Sequence, residues 1–201
     1  MPTRIQIASS MSTPPSGATL LKTGQITSYR TGDDGDIEPG RAVDFTTLSG
    51  NNPFGNTNRF TDTSGGITYA NDIVIDWSTY DGTSVLGYRR TASPSGVSWD
   101  DAIDGALAVS IGSFTTGWRL PNVKEMQNIM NFERAFTSGA FNYFPFNLAE
   151  TYLWTSNTLN GSSINKFYIF NFGFGVNFQS SGSIVKYIAC RTFTVSGTTL
   201  S

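Results

Sequence analysis

Two segments of the chain carry apolar residues at helical spacing. Trp99, Ala102, Ile103, Ala106 and Leu107 recur at three- and four-residue steps behind Ser98, which predicts an amphipathic helix with one buried stripe. Ser98 is a capping residue, Asp100 and Asp101 suit the positive helix end, and Gly112 is placed as the terminator. Val123, Met126, Ile129 and Met130 predict a second helix, with these four side chains inward. Pro121 excludes helix at Leu120 and holds it extended. Asn122 then caps the helix, and Glu125 falls three residues later, where a capping-box acid belongs. Just before this start, Trp118 and Leu120 alternate with Arg119, so two apolar groups face inward while the guanidinium points elsewhere.

Other stretches have strand character. Asp72 to Trp77 is a β-branched run bounded by acids, and Tyr152 to Ser156 is a second short apolar segment. Asn160-Gly161 is a turn signal. Lys166 to Phe172 and Val176 to Phe178 alternate around Gly173 and Gly175, which reads as a hairpin, and Tyr187 to Phe193 is expected to close the sheet. Between these lie irregular stretches rich in rings. Residues 39–66 hold Phe45, Phe54 and Phe60, and 131–150 hold Phe132, Phe136, Phe141, Tyr143, Phe144 and Phe146. Rings in long loops are expected to pin the loop against the core, in preference to forming an exposed aromatic patch. Residues 1–20 mix Ser, Thr, Pro and Gly and read either as an extended arm or as a disordered tail. An ordered arm would need a partner surface.

Composition narrows the class. Of 201 residues, 38% are hydrophobic and 14% charged, and much of the rest is Gly, Ser, Thr and Asn. That mixture fits a turn-rich, β-dominated domain. A net charge of -2 leaves no basic footprint for nucleic acid, and no apolar run reaches membrane-spanning length. The N-terminal residues Met1 to Ala8 have no apolar signal core, so synthesis in the cytosol is expected. Action outside a cell would then need lysis, a dedicated secretion system or a leader already removed.

Candidate chemistry is sparse. Histidine is absent, which removes the commonest general base and metal ligand. Cys190 is the one cysteine, so no intrachain disulfide forms, and its place in a strand reads as a small core residue. Asp33, Asp34, Asp36 and Glu38 invite a calcium reading, yet their spacing does not fit an EF-hand loop, and Asp with Gly is also the material of turns. Arg119 is positioned to fork onto a carboxylate or onto backbone carbonyls, with ligand binding as the other reading. No nucleophile–base pair can be assembled, and no enzymatic role is expected.

Several stretches carry a family resemblance. Gly117-Trp118-Arg119-Leu120-Pro121-Asn122, followed by Glu125, resembles the signature of the DUF1566, or Lcl C-terminal domain, family. Trp77, Trp99 with Ala102, the Tyr152 to Ser156 strand containing Trp154, and Cys190-Arg191 in the terminal strand are similar to further family features. The tract from Thr23 to Asp36 and an opening hairpin over Phe60 to Tyr69 also fit, so the resemblance spans roughly residues 21–194. It implies an α+β, C-type-lectin-like fold: two short helices packed on antiparallel sheet, with an extended N-terminal arm. The division implied is an arm over 1–20, a loop-rich lead-in over 21–66 and the lectin-like domain over 67–201. The motif residues Trp99, Trp118, Arg119, Pro121, Glu125, Trp154 and Arg191 are then structural.

The lectin-like fold also carries formylglycine-generating enzymes, but those rely on cysteines, and Cys190 stands alone. The Glu-Pro-Asn, Gln-Pro-Asp and Trp-Asn-Asp motifs of calcium-dependent sugar binding are missing. No cofactor is therefore expected, with calcium as the open alternative. What remains is display. Asn157, Asn160, Asn165, Tyr168, Asn177 and Gln179 put adaptable polar and aromatic groups on the last third of the chain, against the plainer reading of a solvated β surface. The function expected is a non-enzymatic recognition or structural protein of a virion, in a phage tail or capsid, anchored by its arm to other virion proteins. A host receptor or a glycan would be its ligand, and a homo-oligomer, trimeric by family habit, its assembly. The alternative is a bacterial surface adhesin or extracellular filament domain.

Overall fold

The computed structural model describes residues 27–28, 30–31, 44–132, 139–149, 152–158, 165–170 and 175–201. The arm over 1–20, the tract from Thr23 to Ile26, the acids Asp33, Asp34, Asp36 and Glu38, Phe136 and the Asn160-Gly161 turn lie outside these residues. Among the described residues there are two α-helices and nine strands, all paired antiparallel, so the protein is a mainly antiparallel α+β molecule.

The larger sheet is built from β1 (Phe60–Thr61), β2 (Ile73–Asp76), β3 (Ser84–Arg89), β4 (Trp118–Arg119) and β8 (Cys190–Ser196), in the order β1-β2-β3-β8-β4. A short β9 (Thr199–Leu200) adds to the end of β8. The terminal strand therefore does not close the sheet as expected: β8 runs through its interior, hydrogen-bonded to β3 on one side and β4 on the other. Its chemistry suits that place, since Cys190 and Phe193 are both fully buried. Gly87 on β3 makes room for it. A Cβ on Gly87 would lie 2.5 Å from Phe193 Cε2 and 2.9 Å from Ile75 Cδ1, so only the bare backbone fits beneath the ring.

Every residue of β2 is buried. Its alternation sends Val74 into one apolar cluster and Ile73 and Ile75 into another, so both faces of the sheet are covered. The first cluster holds Met126, Phe141, Tyr143, Phe146 and Leu148, together with Phe45 and Phe60 from the N-terminal loop. The stretch 44–66, expected as a lead-in, thus packs into the core, pinned by its own rings as the spacing of Phe45, Phe54 and Phe60 implies. The second cluster holds Ala102, Ala106, Trp118, Leu120, Trp154 and Phe193.

The first helix, α1 (Trp99–Leu107), begins as predicted, with the Asp101 N–H donating to Ser98 Oγ at 3.2 Å. It ends earlier than expected. Ala108 is its C-cap, and Gly112 lies beyond it, in a turn bridged by Ile111 and Phe114. Leu107 leaves the predicted buried stripe and is 58% exposed, because it lies about 100° round the helix from Ala106 and off the face buried by Ala102 and Ala106. The second helix, α2 (Val123–Asn128), is shorter than its pattern. Met126, Ile129 and Met130 are buried as expected, the latter two in the turn that follows, while Val123 is only half-buried at the rim.

A smaller sheet stands apart, formed by β5 (Tyr152–Thr158), β6 (Asn165–Phe170) and β7 (Gly175–Ser180) in sequence order. The last third of the chain is thus two sheets, with β6 and β7 forming the expected hairpin and β8 belonging to the larger sheet. Two indoles hold β5 to α1. Trp99 Nε1 donates to the Thr155 carbonyl at 2.7 Å, and Trp154 Nε1 donates to the Val97 carbonyl at 3.0 Å. Each buried indole N–H needs such an acceptor, and each here lies on the other's element or beside it.

Candidate functional site

The Trp-Arg-Leu-Pro-Asn hinge is built as its sequence implies. Asn122 Oδ1 accepts the Glu125 N–H at 2.9 Å, and Glu125 Oε2 accepts the Asn122 N–H at 2.7 Å, a complete capping box. Arg119 grips the same carboxylate with both ends of its fork, at 2.6 and 2.8 Å, and also donates to the Leu120 carbonyl at 3.2 Å. Its charge is thereby used within the hinge. Donating hydrogen bonds to the Glu125 carboxylate raises the pKa of Arg119. Burial pushes the Glu125 carboxyl up, but the donors from Arg119 and Asn122 outweigh it and hold the group below the usual carboxylate range.

The hinge also reaches the small sheet. The Pro121 carbonyl accepts the Ser156 N–H at 2.9 Å, and Asn157 Oδ1 accepts the Val123 N–H at 2.8 Å. Trp118 is buried with its indole N–H on the Phe114 carbonyl at 2.8 Å. Arg191 lies over the rings of Phe114 and Phe193, at 5.0 and 4.9 Å. Its Nη1 is buried and makes no hydrogen bond to the described residues. Behind the hinge, Cys190 Sγ sits 3.9 Å from Glu125 Oε2, and burial pushes its thiol up to about 12, so it stays protonated and unreactive.

Sequence reasoning missed a second polar centre. Arg59 and Asp76 are both fully buried and paired bidentately, at 2.9 Å each. Arg59 also donates to the carbonyls of Phe45 and Asn128, and its guanidinium lies between the rings of Phe45 and Phe60 at 4.4 and 4.6 Å. Asp76 accepts further bonds from Ser78 and from Asn128 Nδ2. Burial opposes the Arg59 charge, yet Asp76 overrides it and raises the pKa. With each guanidinium nitrogen donating, this centre ties the N-terminal loop to β2 and to the end of α2.

The surface residues predicted on the last third are only partly brought together. Tyr168 pairs with Asn177 and with Trp154, and Lys166 with Gln179, so Tyr168, Asn177 and Gln179 share one face. Tyr168 is not a surface residue, however. It is buried, with Tyr152 edge-on at 5.0 Å and Trp154 at 6.3 Å, because β6 is the middle strand. Burial raises its pKa. Asn177 and Gln179 are exposed on the outer strand. Asn157 lies at the other side, lining a shallow cleft with Val123, Lys124 and Val176. Asn165 is described only as the β6 residue paired with Ser180, and Asn160 lies outside the described residues. On β7, Val176 to Ser180 are all exposed, which places both faces of this edge strand in solvent, with Phe178 49% exposed.

Another cleft, of about 430 Å³, opens between the N-terminal loop and the ring-rich 139–146 segment. Thr46, Asn58, Ile67, Tyr69 and Phe144 are among the residues that line it. Phe144 departs from the expectation that these rings are buried: it is 60% exposed, with its ring 5.4 Å from Tyr69 in an edge-to-face pair. Its neighbours Phe141, Tyr143 and Phe146 fill the core beneath, so the segment has one ring to spare. Arg90 braces this lip, donating to the Pro145 carbonyl at 2.8 Å and lying 5.6 Å from the Tyr69 ring. No local pattern marks the cleft, since its lining comes from five separate stretches of chain.

Among the described residues, no three His, Cys, Asp or Glu side chains are grouped to hold a metal ion, and no helix is long and apolar enough to cross a membrane. Compared with known proteins, the chain matches no protein-family model and no curated protein.

Proposed function

We propose that the protein is a non-enzymatic recognition protein of C-type-lectin-like class, carried on a virion as part of a phage tail or capsid. The small sheet is its contact surface. The observation that carries the reading is the outer strand β7, whose residues Val176 to Ser180 are exposed on both faces while its sheet is fastened to the core through Trp99 and Trp154. A rigidly mounted strand presenting Val176, Asn177, Phe178 and Gln179 combines flat apolar area with adaptable amides, which suits protein or receptor contact. The groups that invite chemistry are otherwise engaged. Arg119 and Glu125 neutralise each other, Arg59 and Asp76 do the same, and the Cys190 thiol is held protonated.

In this reading residues 1–20 are the arm that joins neighbouring virion proteins, and the protein self-associates, as a trimer. Two measurements test it. Antibody against the purified protein should label intact particles in electron micrographs; label confined to a bacterial surface would favour an adhesin. Fluorescent protein should bind host cells, and the double variant Asn177→Ala/Phe178→Ala should lose about tenfold in binding with an unchanged melting temperature. Equal binding by the variant would remove β7 as the contact surface.

A further inference from the structure

Most arginines of this molecule are answered from within it. Arg59, Arg89 and Arg119 each meet a carboxylate, and Arg90 donates to the Pro145 carbonyl. Arg191 makes no hydrogen bond and no ion pair to the described residues, and its Nη1 is buried without an acceptor. The stretches around it, 84–89, 111–119 and 188–196, are described without a gap. From this unanswered charge we infer that Arg191 and the loop 114–117 form a docking point for a protein partner, whose acidic side chain supplies the carboxylate. This role goes beyond the structural one that the family resemblance implies, and it uses no residue of β7.

Sheet pairing sets the position. On β8, Arg191 stands directly across from Trp118 of β4 and from Gly87 of β3. Opposite residues of an antiparallel pair share a face, as do residues two apart on one strand, so Arg191 lies on the side of Trp118 and Phe193. Its guanidinium carbon is 5.0 Å from the Phe114 ring centre and 4.9 Å from that of Phe193. The rings attract the cation but supply no oxygen to its fork. Gly117 borders the Nε side. A Cβ there would lie 3.2 Å from Nε, and the residue's φ of +79° favours glycine, so no side chain covers that edge. Both ends of the loop thus touch Arg191, Phe114 through its ring and Gly117 through its backbone, which leaves Thr115 and Thr116 beside it. Both threonines are exposed, and neither their hydroxyls nor their backbone N–H groups bond to other described residues. The guanidinium fork, two hydroxyls and two N–H groups can all donate, and such an excess of donors suits an oxyanion.

The surroundings select the source of that oxyanion. Arg191 lines neither of the clefts described above, and the threonines beside it are open surface, so a small acid would find little enclosure. A planar carboxylate matches the guanidinium fork with two parallel hydrogen bonds. A doubly charged phosphate calls for a further cation, and residues 111–117 include no lysine or arginine. Ile111 and Phe114, bonded to each other by N–H and carbonyl in both directions, are half-buried and give apolar contact beside the charge. An arginine flanked by an aromatic ring is a composition that protein interfaces favour.

The test is an NMR titration of the full-length protein with the peptide acetyl-Gly-Leu-Glu-Leu-Gly-amide, its Gln counterpart, and inorganic phosphate. The Glu peptide should shift the amide signals of Thr115, Thr116 and Gly117 and the Arg191 Nε–H, with a dissociation constant on the order of 1 mM. The Gln peptide and phosphate should each bind about tenfold more weakly. Arg191→Lys keeps the charge but loses the fork, and should weaken binding of the Glu peptide about tenfold. Thr116→Glu sets a carboxylate beside the guanidinium within the same chain and should abolish peptide binding, whereas Thr116→Gln retains it. Thr116 is exposed, so both variants should keep the fold and carry the test even where substitution of Arg191 unfolds the chain. An arginine with a purely structural role would leave the two peptides alike and Thr116→Glu without effect. That outcome, the absence of shifts with either peptide, or equal binding of phosphate would overturn the inference.

Discussion

At the scale of single residues, Glu125 shows how local chemistry becomes legible. It lies three positions after Asn122 and six after Arg119, so cap, acid and guanidinium all fall within one short stretch. A motif this compact can be read without knowing the fold. Its pH dependence follows from the same contacts. The carboxyl is held below the usual range in the folded protein, so its contribution is complete above the unfolded value, about pH 4.3, and fades as pH falls through the folded one. Asp62, whose carboxyl burial raises but whose Ser64, Gly66 and Thr68 donors lower it overall, acts with the same sign. Glu125→Gln should therefore cost about 1 kcal/mol near neutrality and flatten the loss of stability below about pH 4, since Arg119 is partly solvated. Urea midpoints measured from pH 7 to pH 3 give the comparison, and parallel curves for both proteins would contradict it. Arg59 and Asp76, by contrast, are seventeen residues apart, and nothing in their immediate neighbours announces the pair. The one available hint is a lone arginine between Phe45 and Phe60, in a stretch otherwise poor in charge.

At the scale of elements, the strands and helices were largely readable, and their neighbours were not. The capping signals of Ser98 and Asn122 mark both helix starts, because a cap acts within four residues. The ends drifted, since no comparable signal stops α1 before Gly112, and Leu107 continues the apolar pattern into solvent. The segment from Cys190 is plainly a strand, but its position between β3 and β4 depends on partners about a hundred and about seventy residues away. Gly87 is the cryptic sign of that pairing. Substituting Gly87→Ala should destabilise the protein by about 1–3 kcal/mol, because the new methyl group collides with the Phe193 ring and with Ile75 inside a packed sheet. Thermal melts of the variant measure this. A Tm equal to the wild type would mean that Phe193 has room to retreat.

At the scale of the whole molecule, two apolar clusters on opposite sides of one sheet share the work of stability, and the N-terminal loop belongs to the first. The sequence pattern makes an antiparallel α+β molecule legible, but gives residues 44–66 no element of their own length and so hides their weight in the core. Beginning the chain at residue 67 would delete Phe45, Arg59 and Phe60 and leave Asp76 as a buried carboxylate without its guanidinium. Losing one partner of such a pair costs about 3–5 kcal/mol, comparable to the total stability of many domains. That fragment should be unfolded by circular dichroism and proton NMR, whereas a chain starting at residue 21 should give the native spectrum. A folded fragment from residue 67 would show that the loop and its arginine are dispensable. The ring-lipped cleft has the same origin: it exists only once five separate stretches have met, so no window along the chain could display it.

The openness of β7 bears on heredity as well as on contact. Codons for Val176 to Ser180 specify side chains that neither core holds in place, so they can drift, or be exchanged wholesale, with little penalty to folding. Selection would then act on that strand almost purely through what it touches. On the proposal that β7 is the contact surface, a lineage carrying this molecule could change its target quickly while the indoles and the hinge beneath stay as they are.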